Sequence, residues 1–172
     1  MEHAPSLPDA PGAHNPRPAE VASLRAVEGE WPAAVREGLE ADVRRVADRL
    51  RTLSPAQLAA AVGAHPSRAA GGRAAAALLA VAAQGIEERA SDVEPRWRPV
   101  PELSDFAVGD QIAVTGHDLV ALLPNPSSSG DHAVMGILVG PEETVWTPGT
   151  RRTALDILTD AAAELAALRR LL

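Results

Sequence analysis

The chain has 172 residues, 46% of them hydrophobic but only 2% aromatic, no cysteine, and a formal charge of −7. That length suits one domain with a single core. The missing thiols exclude disulfides, thiolate nucleophiles and zinc–thiolate sites, and the acidic balance argues against a nonspecific nucleic-acid or anionic-membrane surface.

Residues 1–18 hold five prolines and no apolar run, which reads as a disordered tail without a signal peptide. Residues 19–172 read as one α+β domain: a helical part over 19–91, a sheet part over 104–147 and a closing helix over 154–172. Val21, Leu24 and Val27 share one face of a short helix. Trp31, Val35, Leu39, Val43, Val46 and Leu50 then recur at steps of four and three, the stripe of an amphipathic helix. In "SPAQLAAAVG", Ser54 and Gln57 form a capping box with Pro55 at the first helical position, and Gly63 suits a left-handed stop.

Pro66 opens a long helix to about residue 89, with Leu78, Leu79, Val81, Ala82 and Ile86 inward. Gly71, Gly72 and Gly85 each weaken it by roughly 1 kcal/mol against alanine. Close passage of another backbone offsets that cost; a kink at Gly71-Gly72 is the alternative. No run approaches 18 apolar residues without charge, so no membrane span is expected, and the cytoplasm is the default location.

The stretch "SPAQLAAAVGAHPSRAAGGRAAAAL" resembles the helix-turn-helix pattern of DNA-binding domains. Ala59, Gly63 and Pro66-Ser67-Arg68 follow its order of small residue, glycine, turn and second helix. The resemblance implies a DNA reader built on residues 54–80, with Arg68 and Arg73 reaching phosphates or bases. It departs from the pattern at Ala69 and Gly72, where branched apolar residues belong.

From Asp92 the prolines of "SDVEPRWRPVPELSDFAVGD" indicate an extended crossing segment. "DQIAVTG", "DLVALLP", "HAVMGILVG" and "TVW" read as three or four short antiparallel strands, with 118–123 open between strand and helix. Thr153 and Asp156 make an acidic capping box for the last helix, whose stripe is Leu158, Ala162, Leu165, Leu168 and Leu172. The expected build is three to four helices packed on a small three- or four-stranded antiparallel sheet.

His117-Asp118 and Asp131-His132 each set an imidazole beside a carboxylate, the raw material of proton transfer. In a meander the two histidines stand some 20 Å apart, and neighbours on a strand face opposite sides. One shared site then needs a tight turn, a helical 118–123, or a second chain. His117 and Asp118 remain the catalytic candidates against an ordinary turn role. Arg96, Trp97 and Arg98 form a cation–aromatic–cation run able to stack an anion or base. Ser127, Ser128 and Ser129 lack the G-x-S-x-G elbow of a hydrolase. No metal or cofactor pattern is present.

The leading expectation is therefore a non-enzymatic, self-associating interaction domain. Gly71, Gly72, Leu79 and Trp146 are its candidate interface residues. A small-molecule or enzymatic site near His117 is the second reading, and DNA binding the third.

Overall fold

The computed structural model describes Trp31, residues 33–123 and residues 139–172. In chain order these form α1 (Ala33–Arg51), α2 (Pro55–Ala59), α3 (Arg68–Glu87), a 3₁₀ turn (Asp105–Ala107), α4 (Val108–Ala121), β1 (Thr144–Thr147), β2 (Thr150–Thr153) and α5 (Ala154–Leu171). The expected tail, the helix at Val21–Val27, the serine loop, Asp131-His132 and the apolar run before Val139 lie outside the described residues.

The helix signals translate directly into caps. The Ser54 hydroxyl accepts from the Gln57 N–H while the Gln57 carboxamide accepts from the Ser54 N–H. Ser67 caps α3 through the Ala70 N–H, and Thr153 caps α5 through the Asp156 N–H. Gly63 has a positive φ, as its turn requires. The stripe Leu39, Val43, Val46, Leu50 on α1 is buried.

α3 is the central rod and runs unbroken through Gly71-Gly72. It is long and apolar enough to cross a membrane by length and composition alone, with 61% of the relevant window buried against the rest of the chain. Most of its buried positions are alanine or glycine, which add little apolar area per residue. Contact is gained instead by approach. A Cβ at Gly85 would fall inside the carbonyl oxygen of Trp146, so β1 crosses α3 backbone to backbone. A Cβ at Gly72 would lie 2.6 Å from Val108 Cγ2, at the start of α4.

The architecture is α+β, a helical core packed against a small antiparallel sheet, but the proportions differ from the expected ones. Among the described residues there are five helices and one two-stranded hairpin. The runs "DQIAVTG" and "DLVALL", expected as strands, belong to the single helix α4. Ile112, Val114, Thr115 and Val120 favour strands locally, and Gly109 and Gly116 disfavour helix. Tertiary packing overrides both preferences. Gly109 and Gly116 lie seven residues apart on one face, and that face meets α1. A Cβ at Gly109 would sit 2.7 Å from the Ala47 carbonyl oxygen, and one at Gly116 would overlap Val43.

The hairpin pairs Thr144 with Thr153, Val145 with Arg152, Trp146 with Arg151 and Thr147 with Thr150. Its turn is Pro148-Gly149 with Gly149 at φ +79, the requirement of a type II turn. Val145 is fully buried, and β2 runs straight into α5, which packs on α1 and α3.

Two glycine substitutions should therefore have opposite effects. Gly85→Ala gains helix propensity yet forces β1 off α3, and should lower the unfolding free energy by about 2 kcal/mol or more. Gly38→Ala lies on exposed α1 with nothing within 4 Å of the added carbon, and should raise it by ~0.5–1 kcal/mol. Urea denaturation of both variants measures the difference.

Candidate functional site

Residues 91–104 have no regular secondary structure, as the prolines require, and they strap α3 to α4. Two buried glutamines hold the strap. Gln84, near the end of α3, donates to the Arg98 carbonyl at 3.0 Å and accepts from the Arg98 N–H at 2.7 Å, replacing a neighbouring strand for that residue. Gln111, one turn into α4, donates to the Pro101 carbonyl at 2.6 Å. Gln111 Oε1 is buried with no hydrogen-bond partner. Further along the strap, Arg98 pairs with Glu87 at 3.1 Å.

The strap is also tied to the hairpin. Glu94 accepts from the Trp97 indole N–H at 2.8 Å and from the Gly149 N–H at 3.0 Å. These donors, Trp97 first, hold the Glu94 carboxyl below the usual carboxylate range.

Between the strap, α3 and α4 lies a groove of about 300 Å³. Ala80, Pro99, Val100, Pro101, Leu103 and Val114 make its walls, with Gln111 and Thr115 also lining it. Arg98 and Asp110 are its charged members. Leu103 is 53% exposed and Val114 61% exposed, far beyond the core residues around them.

A second cleft, of about 290 Å³, lies between α1 and another side of α4. Val43, Ala47, Ala113, Gly116 and Val120 supply its apolar surface; Arg36, Glu40, Arg44, Arg51 and His117 supply its polar one. The Arg36 guanidinium donates to the Val120 and Leu123 carbonyls at 2.7 and 2.6 Å, a cationic cap on the C-terminus of α4. Arg44 meets Glu40 at 3.2 Å. Arg51 is held by Asp110 at 2.7 Å and by Asp48 at 3.0 Å, and Asp110 above all pushes its pKa up.

The sequence candidates fall in different places. His117 and Asp118 are successive exposed residues of α4, with His117 on the second cleft. Arg96 is exposed, while Trp97 and Arg98 are engaged within the strap. Gly71, Gly72 and Leu79 are buried within the chain; Gly71 faces His65 and Leu168, and Gly72 faces Val108 and Leu50. The Trp146 indole N–H donates to the Ser91 carbonyl at 2.9 Å, with Arg151 over the ring at 5.0 Å. Of the helix-turn-helix arginines, Arg68 donates to the Gln57 carbonyl and Arg73 pairs with Asp105 at 2.7 Å. Among the described residues no three His, Asp or Glu side chains cluster as metal ligands do.

Sequence reasoning passed over Gln84 and Gln111. The signal was there: Gln84 is the one polar residue between Arg73 and Glu87, and Gln111 precedes the apolar run of α4. A lone amide in an apolar helix face needs partners when buried.

No family model, no curated protein and no solved structure matches this chain.

Gln84→Ala leaves the Arg98 N–H and C=O without their partner. It should lower stability by roughly 1–3 kcal/mol and speed deuterium exchange at the Arg98 amide well before global unfolding. For Glu94, the folded-state pKa lies below the unfolded one. Its anchoring is thus complete above the ordinary carboxylate pKa and is lost as pH falls through the lowered value. The Trp97 indole and Gly149 amide proton resonances should move together in that acid range, and Glu94→Gln should abolish the shared transition.

Proposed function

We propose that this chain is a non-enzymatic, self-associating interaction domain, and that its contact face is the groove between the strap, α3 and α4. The observation that carries the reading is the exposure of Leu103 and Val114, both more than half exposed on the walls of a nearly apolar groove. Small-molecule sites bury some 70–90% of their ligand. Walls this open leave a small ligand largely wet, whereas a protein face laid across them removes the walls themselves from water.

The charges favour a second copy as the occupant. Arg98 is tied to Gln84 and Glu87 near the end of α3. Asp110 lies in the first turn of α4, whose start packs at Gly72, about 18 Å back along α3. Each charge has a partner within its own chain, Arg98 in Glu87 and Asp110 in Arg51, but both pairs are solvent-exposed and leave the two side chains accessible to a partner's charges. A two-fold pairing sets Arg98 of each copy against Asp110 of the other, the self-complementarity that a symmetric dimer needs.

This surface differs from the one centred on Gly71, Gly72 and Leu79, where contacts within the chain already fill the space. DNA binding has less support, because α3 is the core helix and Arg68 and Arg73 make internal contacts.

Sedimentation velocity tests the proposal. The wild-type chain should be a dimer at about 100 μM, and Val114→Asp should be a monomer with an unchanged circular dichroism spectrum. Arg98→Asp and Asp110→Arg should each weaken the dimer and together restore part of it. A wild-type chain that stays monomeric at that concentration overturns the reading.

A further inference from the structure

The cleft between α1 and α4 reverses the charge of the molecule. The chain as a whole carries 23 acidic residues against 16 basic ones. The cleft carries three arginines and a histidine against one carboxylate, Glu40. That carboxylate engages Arg44 through side chains 51% and 69% exposed, a pair of the kind worth little in water. Arg51 is neutralised by Asp48 and Asp110. Arg36 is different: its partners are the carbonyl oxygens of Val120 and Leu123, which carry no full charge. The cation density facing the cleft therefore comes mainly from Arg36 and Arg44, with His117 on the facing helix.

Between these groups the surface is apolar and finely stepped. Ala113 and Ala121 on α4 supply its accessible apolar surface, and the buried Val43, Ala47 and Val120 form the floor beneath. At about 290 Å³ the cleft is at the lower end of small-molecule sites, which run from ~300 to 1,000 Å³. An apolar surface with a cationic rim suits one chemical class: a small monocarboxylate with an aryl or short alkyl body. Its carboxylate displaces Glu40 from Arg44 or joins that pair from the Arg36 side, and its body covers Ala113 and Ala121.

We propose that the α1–α4 cleft binds a small apolar monocarboxylate, held by Arg44 and Arg36 over the surface of Ala113 and Ala121. Neither Val114 nor Arg98 lines this cleft, so Val114→Asp tests self-association without altering the site, and the two proposals fail separately.

Amide chemical shifts of the full chain, titrated with benzoate, hexanoate and benzyl alcohol, test it. Benzoate and hexanoate should give saturable shifts at Ala47, Ala113 and Gly116, and benzyl alcohol should bind roughly tenfold more weakly. Added salt should weaken the acids and leave the alcohol unchanged. Arg44→Gln, at an exposed position, should weaken benzoate several-fold with folding intact. Ala113→Leu should fill the cleft and abolish the shifts while every arginine remains. The proposal is overturned if neither acid shifts these amides by about 10 mM, if acid and alcohol bind equally, or if Arg44→Gln binds benzoate as the wild type does.

Discussion

The whole arrangement depends on how closely backbones approach α3 and α4. The buried face of α3 is mostly alanine and glycine and gathers little area by interdigitating long side chains, so it gathers contact by shortening the distance between axes. Gly85 lets β1 lie against α3, and Gly72 admits Val108 at the start of α4. Gly109 and Gly116 bring α4 onto α1 along one face. Each glycine weakens its own helix by roughly 1 kcal/mol, and each is recovered through the element it admits. Replace them with alanine and the helices become better helices in a worse fold.

Close packing of this kind leaves little space for polar groups, and the few that are buried act on the backbone of other segments. Gln84 and Gln111 fasten an extended, proline-containing strap that offers no regular hydrogen-bonding ladder of its own. Arg36 closes the end of α4, and the Trp146 indole reaches the Ser91 carbonyl. The strap in turn shapes the apolar groove, because Pro99, Pro101 and Leu103 form one of its walls. Two amides buried for the sake of the fold thus define a surface that faces outward.

Periodicity and capping made the helices readable. α1 announced itself by the step of four and three from Val35 to Leu50, α2 and α5 by Ser54 and Thr153, and α3 by Pro66, next to its cap Ser67. Gly85 was readable too, as a helix glycine asking for a neighbouring backbone. α4 was not, because its β-branched residues and glycines argue locally for strand, and only α1 and α3 together make the helix the better state. The second strand of the hairpin was passed over because Arg151 and Arg152 interrupt any apolar alternation, although Pro148-Gly149 marks the turn. The pairing of His117 with Asp118 drew notice because the residues adjoin in sequence. On a helix, adjacency places the two about 100° apart, and the neighbours of His117 come from α1 instead.

That change of partner explains why the candidate sites were illegible from sequence while most helices were not. A helix declares itself through residues three and four apart, but a cleft is made by residues with no fixed spacing. Arg36 and Arg44 come to line one cleft with His117 only after a segment expected as strands has folded as α4 beside α1. Once it has, α4 presents two unlike flanks. Ala113, Gly116, His117 and Val120 face the cationic cleft, and Gln111, Val114 and Thr115 face the apolar groove. The division follows from the pitch of the helix, since residues 113, 117 and 120 fall on the side away from 111 and 115. One misread segment therefore carried both surfaces, and the chemistry of this chain became visible only when the helix that separates them did.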